Sequence, residues 1–222
     1  MKKILPVIIA LVLSNNLYVK AQVAGIGKSD PDAKKILDNV SAKFKSFKTV
    51  SAKFNLKIEN ASGKVQGSKT GTVSLKGSKY RVSVTGQEIF FDGSAISTYD
   101  KASNEVQITQ FDPSANTITP QKLFTNFYDK DFLYKLNGET GYAGKTIQEV
   151  ELTPVDKTKP FFKVLVYINK GSQTITSTKV FEKNGNRYTY SVSSMKTNIP
   201  LADDLFVFNK SKYPTAEVID LR

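Results

Sequence analysis

Five aspartates are the residues of this chain best placed to take part in acid–base chemistry: Asp92, Asp100, Asp112, Asp129 and Asp131. A pair of carboxylates is the machinery of glycoside hydrolysis, and a serine activated by a lysine is a second chemistry that these residue types allow. Asp92 precedes a glycine, however, and Asp100 precedes a Lys-Ala-Ser-Asn turn. Aspartate often occupies such positions for turn geometry alone. We therefore predict structural roles for these acids and a protein that is not an enzyme.

The composition removes most other catalytic chemistry. The 222 residues include no histidine and no cysteine. The chain therefore lacks the usual general base at neutral pH, the usual zinc and haem ligands, and a thiol nucleophile. The sequence also shows no glycine-rich phosphate loop, nucleophile elbow or calcium loop. It predicts neither a metal nor a cofactor.

Residues 1–21 have the pattern of a secretory signal peptide. Lys2 and Lys3 precede ten apolar residues, 4–13, and Val19-Lys20-Ala21 suits a signal peptidase. The apolar run is shorter than the about 20 residues that span a bilayer. Residues 22–222 then form one predicted domain, without a cysteine to carry a lipid anchor. We expect a monomer in the periplasm, beyond the inner membrane.

The basic charge is spread evenly along the chain. Without residues 1–21, three of the 32 basic residues are lost, which leaves 29 basic and 20 acidic residues and a net charge of +9. Only three of the basic residues are arginines, whereas a nucleic-acid surface usually concentrates arginine in one patch. We expect solvated, lysine-protected strands and no nucleic acid partner. Attraction to anionic lipid head groups is the alternative.

The elements predicted around these residues are mostly strands. Residues 71–110 contain four or five short apolar runs separated by turns, and Asp92-Gly93 is a hairpin signal. A long strand with alternating apolar residues runs from Val50 to Glu59. Further strands are predicted over 65–76, 132–136, 145–153, 161–169, 174–182, 187–194 and 216–221, with one helical turn at 203–206.

Two amphipathic helices are predicted as well. Asp30-Pro31 starts the first, over 31–47, whose apolar stripe ends in Phe44 and Phe47. The second covers about 120–128 and carries Phe124 and Phe127 after a loop at 113–119. Together the elements predict a mainly β (α+β) fold, a curved antiparallel sheet covered by helices.

Several strands carry large apolar residues on both faces, as in Ile89-Phe90-Phe91 and the run 161–168. A sheet with one wet face needs strict alternation. Either such strands are covered twice, or a concave apolar face is open to a ligand. Both interpretations remain open at this stage.

The order of short motifs resembles the family of periplasmic carriers of outer-membrane lipoproteins, over nearly the whole of residues 22–222. The motifs that carry the resemblance are Phe47-x-Thr-Val-Ser-Ala-x-Phe54, Gly71-Thr-Val-Ser-Leu-Lys76 with Tyr80-Arg81, Phe91-Asp92-Gly93 with Tyr99-Asp100 and Glu105-Val106-Gln107, Leu152-Thr153-Pro154, and Asn198-Ile-Pro-Leu with Leu205-Phe206-x-Phe208 and Val218-Ile-Asp220.

The resemblance implies an incomplete β-barrel with a helical lid, whose concave face binds the acyl chains of a lipoprotein. It further implies that cargo comes from an inner-membrane ABC transporter complex and goes to an outer-membrane acceptor. The family's latch arginine, which holds the lid shut, aligns with Gly77-Ser78. Lys76 and Arg81 are the candidates to replace it.

Alternation along the strands selects the residues expected to line an acyl cavity: Phe54, Leu56, Val73, Leu75, Val82, Val84, Phe90 and Ile96. The lid residues are Phe44, Phe47, Phe124 and Phe127. Two other functions fit the same scaffold: a carrier of other lipids or glycolipids, and a structural or sensor domain without a ligand.

Overall fold

A computed structural model describes residues 29–112 and 128–222, which form two short helices and twelve strands. Helix α1 spans Pro31–Lys45, and the helical turn α2 spans Tyr128–Asp131. The strands are β1 Thr49–Glu59, β2 Val65–Lys76, β3 Lys79–Val84, β4 Gln87–Phe91, β5 Ala95–Asp100, β6 Glu105–Gln110, β7 Phe132–Tyr142, β8 Lys145–Pro154, β9 Phe161–Asn169, β10 Thr174–Glu182, β11 Arg187–Thr197 and β12 Glu217–Asp220. The predicted signal peptide, the loop 113–119 and almost all of the second predicted helix lie outside the described residues.

All twelve strands belong to one sheet, in the order β12-β6-β5-β4-β3-β2-β1-β11-β10-β9-β8-β7. The two end strands, β12 and β7, do not pair with each other, so the sheet is not closed into a barrel. The predicted fold class is confirmed. One detail differs from the expected antiparallel sheet, because β12 pairs with β6 in parallel. Within the described residues, no helix is long and apolar enough to cross a membrane.

Helix α1 begins where the sequence predicts. The Asp30 carboxylate accepts a hydrogen bond from the Asp32 N–H at 2.8 Å, and Pro31 occupies the first turn. The same carboxylate accepts a second bond from the Leu136 N–H of β7 at 3.0 Å. The cap therefore also fixes α1 to the sheet. The helix ends at Lys45, two residues before the predicted end.

The helix covers one face of the sheet, which we call the inner face, and packs on two separate apolar clusters. The first part of α1 lies on strands β7 to β10, with Ala33, Leu37 and Val40 buried. Phe44 and Phe47, at and beyond its end, pack against a cluster on β1 to β5. These two clusters form the core under α1. The inner face is therefore well covered at the two clusters and less covered between them.

The opposite face, which we call the outer face, is covered at β3 to β6 by the C-terminal segment. Phe206, in the 3-10 turn Asp203–Phe206, is fully buried. The Phe90 ring lies 6.1 Å from that of Phe208 and 6.3 Å from that of Tyr213, measured between ring centres. Strand β4 is therefore covered on both faces, which explains why two adjacent phenylalanines, Phe90 and Phe91, are both buried there.

Candidate functional site

Between the two clusters, the inner face presents a row of incompletely covered apolar side chains. Partner residues in an antiparallel pair point to the same face, so the strand register identifies them. They come from β1, β3 and β11, and we call them the open strip: Phe54, Leu56, Ile58, Val84, Tyr190 and Met195. Tyr190 is 40% exposed and Met195 36% exposed, and the other four are half-buried.

The centre of the open strip is an aromatic ring lying on a glycine. Phe54 pairs with Gly71 of β2, and a Cβ at Gly71 would lie 2.4 Å from Cζ of that ring and 2.7 Å from the Ser83 carbonyl oxygen. The ring can take this position only because residue 71 has no side chain. The Tyr190 ring is 6.3 Å from the Phe54 ring. The two rings are tilted by 52° to each other and, with the aliphatic side chains beside them, form an apolar surface on the sheet.

Seven of the eight residues predicted to line a cavity lie on the inner face. Phe54, Leu56 and Val84 belong to the open strip. Four others are part of the cluster under Phe44 and Phe47: Val73, Leu75, Val82 and Ile96. The structure therefore brings the predicted residues together on one face but packs four of them in the cluster with Phe44 and Phe47, where Leu75 is buried and the other three are half-buried.

Phe90 requires a correction, because it pairs with Arg81 and so lies on the outer face. Its neighbour Phe91 pairs with Tyr80 and occupies the inner cluster instead. The signal that reveals this is the two-residue connection Thr85-Gly86. Counting outward from that turn pairs Val84 with Gln87 and hence Tyr80 with Phe91. Sequence alternation also missed the contribution of β11 to the strip, notably Tyr190 and Met195.

The predicted lid residues have different outcomes. Phe44 and Phe47 pack on the inner cluster, with ring centres 6.3 Å apart in an edge-to-face arrangement. Phe124 and Phe127 lie outside the described residues. Of the two helices predicted to form the lid, the structure therefore describes the first, α1, together with its two phenylalanines.

The latch expectation for Arg81 is corrected by its partners. One guanidinium nitrogen of Arg81 donates to the Glu88 carboxylate at 2.5 Å, and the group stacks 4.8 Å from the centre of the Phe90 ring. Both partners are on the outer face. Arg81 therefore points away from α1 and joins β3 to β4.

Lys76 is also placed on the outer face. Its ammonium group donates to the Leu201 carbonyl oxygen at 2.8 Å and lies 3.4 Å from the Asp203 carboxylate. It thereby attaches the C-terminal segment to β2. Among the described residues, neither predicted latch residue contacts the helix that covers the inner face.

The aspartates singled out by type serve turns where the structure describes their bonds. Asp92 accepts from the N–H groups of Ser94 and Ala95, at 2.8 and 2.9 Å, in a connection of three residues, 92–94. Asp100 accepts from the Ala102 N–H at 2.8 Å. Asp112 and Asp131 are exposed, and the side chain of Asp129 lies outside the described part. Asp92 and Asp100 are therefore engaged in turn formation.

Two tyrosines of the inner face have raised pKa values. Burial raises the pKa of Tyr80 in the inner cluster. Loss of water also raises the pKa of Tyr190, with the charges of Tyr188 and Glu182 adding to the effect. Both phenols are therefore uncharged at neutral pH, which suits contact with an apolar ligand.

A cavity of about 520 Å³ lies between the first part of α1 and strands β7 to β9. Ile36, Val40, Leu136 and Ile168 form its apolar wall, and the ion pair of Glu139 and Lys170, 2.9 Å apart, is also part of the lining. Its lining contains none of the eight residues selected from the sequence. The cavity and the open strip are thus two distinct features of the inner face.

Comparison with known proteins places this geometry in a family. The sequence model described as "Outer membrane lipoprotein carrier protein LolA" matches residues 45–209, which is 165 of the 222 residues. No curated protein matches the sequence. A solved conserved protein from Thermus thermophilus is similar over 85% of this chain and 99% of its own, with 13% identity and a TM-score of 0.58.

Two further solved structures are more distant. The lipoprotein LppX of Mycobacterium tuberculosis is 14% identical over 79% of this chain and 100% of its own, with a TM-score of 0.49. A LolA superfamily protein from Nitrosomonas europaea is 15% identical over 79% of this chain and 97% of its own, with a TM-score of 0.43. The match of the family model covers most of the sequence. The chain therefore belongs to the LolA family of outer membrane lipoprotein carrier proteins.

Proposed function

We propose that this protein is a periplasmic carrier that binds the acyl chains of lipoproteins on the open strip and delivers them to the outer membrane. The observation that carries the proposal is the row of half-buried and exposed apolar side chains between the two clusters of the inner face. In this account the protein is a binding protein and not an enzyme. Its cargo comes from an inner-membrane ABC transporter and passes to an outer-membrane acceptor.

The shape of the strip favours reversible binding. Each CH₂ group removed from water contributes about 0.8 kcal/mol, so fully enclosing several acyl chains would prevent their release. The open strip is incompletely covered, and Tyr190 and Met195 at its side remain over a third exposed. Acyl chains lying there are covered by the protein on one side only. Partial burial of this kind suits a protein that must hand its ligand on.

A fluorescent fatty-acid titration of a charged variant tests the site. Leu56→Glu places a carboxylate in the middle of the open strip, where a bound acyl chain would remove water from the charged group. We expect its affinity for the probe to fall at least tenfold. Leu165→Glu is the matched control, because Leu165 is also a half-buried leucine of the sheet but pairs with Lys179 on the outer face. Equal affinity of Leu56→Glu and the wild type would refute the site.

A free anionic lipid is a second candidate ligand, favoured by one residue. Lys69 of β2 pairs with Leu56 and is therefore an exposed cation on the inner face beside the strip. An ammonium group there suits a carboxylate or phosphate head group. Lipid extraction from the purified protein separates the two ligands, because a lipoprotein leaves a polypeptide with its acyl chains and a free lipid does not.

A further inference from the structure

Three loops lie together at one end of the sheet, and we call this surface the loop end. It consists of residues 60–64 between β1 and β2, 155–160 between β8 and β9, and 183–186 between β10 and β11. The Lys183 N–H donates to the Pro160 carbonyl oxygen at 2.9 Å, and Arg187 donates to the Ala61 carbonyl oxygen at 3.0 Å. Gly185 lies so close to Ala61 that an added Cβ would be 2.7 Å from the alanine methyl carbon.

The loop end carries an excess of positive charge. Its loops contain four lysines and a single acid: Lys64, Lys157, Lys159, Lys183 and Asp156. The Asp156 carboxylate accepts bonds from the N–H and hydroxyl of Thr158, at 2.8 and 2.7 Å, and is thereby engaged in its own turn. Across residues 29–112 and 128–222, none of the four lysines has a carboxylate oxygen within 4.0 Å. The ammonium groups of Lys157 and Lys183 donate to the backbone carbonyl oxygens of Pro154 and Lys157, which are neutral acceptors and leave the positive charge in place. The loop end therefore presents a net positive charge.

Apolar side chains protrude among these cations. Phe162, just after the 155–160 loop, is 49% exposed, and Val155 within that loop is 52% exposed. The Phe162 ring lies 6.2 Å from that of Phe181 on β10. Lys163 and Arg187 approach the Phe181 ring, with their charged groups 4.7 and 5.7 Å from its centre. Aromatic and basic groups are thus interleaved on one surface.

We propose that the loop end is a docking surface for an anionic lipid membrane. Lysines on three separate loops give a broad positive face, which matches the negative potential of a bilayer containing acidic phospholipids. Phe162 and Val155 would enter the boundary between head groups and acyl chains, where exposed apolar side chains are favoured. The proposal does not rest on what the open strip carries, because the two surfaces share no residue.

Co-sedimentation with vesicles tests the proposal on the purified, cargo-free protein. Vesicles of phosphatidylcholine with 30% phosphatidylglycerol are compared with vesicles of phosphatidylcholine alone. We expect binding to the anionic vesicles only, weakening as salt is raised because the charges are exposed. Lys64→Glu with Lys159→Glu should weaken binding at least tenfold, since each surface cation contributes about fivefold. Phe162→Ser should weaken vesicle binding severalfold. It should leave the salt dependence of binding unchanged, because the lost contact is apolar.

Matched controls come from the opposite end of the sheet. Lys145→Glu with Lys196→Glu makes the same charge change at exposed lysines near that end, and Tyr142→Ser removes an aromatic ring that is 75% exposed. Both controls should bind anionic vesicles within twofold of the wild type. Thermal melts establish that each variant is folded. Equal binding to both vesicle types, no binding at all, or an equal loss in the control pair would overturn the proposal, and an acidic protein would then become the preferred partner.

Discussion

At the scale of single residues, the open strip depends on a contact that only glycine allows. The Phe54 ring lies on Gly71, where an added Cβ would be 2.4 Å from the ring. Gly67, four residues earlier in the same strand, pairs with Ile58 on the same face but has open space where a Cβ would be. The two glycines therefore form a natural pair for comparison.

Gly71→Ala should destabilise the protein by about 1 to 3 kcal/mol, because the new methyl group meets the Phe54 ring and an immobile backbone oxygen. It should also weaken fatty-acid probe binding, since the displaced ring would occupy the strip. Gly67→Ala should change stability by less than about 0.5 kcal/mol. Urea denaturation and the probe titration measure both effects. Equal stability of the two variants would contradict the packing described for Phe54.

Arg81 gives a second prediction at this scale. Arg81→Gln removes the ion pair with Glu88 and the contact with the Phe90 ring, so it should lower stability by about 1 to 3 kcal/mol. Because Arg81 lies on the outer face, the affinity and release rate of an acyl probe should remain those of the wild type. Stopped-flow probe release provides the check. Faster release at unchanged stability would restore a latch role for this arginine.

The sequence identified the inner face correctly except at one strand. Phe54, Leu56, Val73, Leu75, Val82, Val84 and Ile96 follow from alternation, because a strand with one covered face repeats every two residues. Phe90 and Phe91 break this rule, since the C-terminal segment buries β4 from the other side. Two adjacent aromatic residues do not by themselves show which of the two lies on the inner face. The turn at Thr85-Gly86 supplies the missing register.

At the scale of elements, α1 joins the two halves of the inner face. Its first turns pack on β7 to β10, and its end leads into Phe44 and Phe47 over β1 to β5. The Asp30 carboxylate holds the N-terminus of the helix and the backbone of β7 together. The position of the helix over the sheet is therefore set in part by one side chain.

Asp30→Ala should destabilise the protein by about 1 to 3 kcal/mol, because it removes the helix cap and leaves the Leu136 N–H without its carboxylate partner. Asp32→Ala is the control within the same turn and should cost less than about 1 kcal/mol, the helix-dipole contribution. Hydrogen exchange should show faster opening of α1 in the Asp30 variant alone. Equal losses in both variants would argue against the dual role of Asp30.

The elements themselves were largely predictable, and the exceptions have physical causes. Strand β7 continues to Tyr142, beyond the predicted end at Leu136. Its second half is rich in glycine and polar residues, and the register shifts at Gly138, whose φ is +147°. The parallel pairing of β12 depends on the path of the C-terminal segment across the outer face, and no local pattern encodes that path.

At the scale of the whole molecule, the titrating groups restrict how stability depends on pH. The N–H groups of Leu136 and Asp32 lower the pKa of Asp30. The Lys179 ammonium lies 3.1 Å from one Glu59 oxygen, an ion pair without hydrogen-bond geometry. This ammonium lowers the pKa of Glu59, and the Lys57 ammonium lowers it further. The unfolded chain has carboxyl pKa values near about 4. Folded carboxylates with lower pKa values stabilise the protein above that range.

The free energy of unfolding should therefore fall as pH decreases from about 5 to about 3, when these carboxylates become protonated. Between about pH 5.5 and 8 it should be nearly constant, because the chain has no histidine and no cysteine. Urea titrations across this range test both parts, and Glu59→Gln should reduce the acid-induced loss. A transition in stability centred near about pH 6.5, the ordinary histidine range, would be inconsistent with this account.

Native mass spectrometry of the protein purified from its own cell envelope tests the central claim, acyl binding on the open strip, most directly. Wild-type protein should carry a noncovalent adduct that collisional activation releases as an acylated polypeptide. Leu56→Glu should lose this adduct, and Leu165→Glu should keep it. Wild-type protein that is free of any adduct, and that also fails to bind a fatty-acid probe, would contradict the claim.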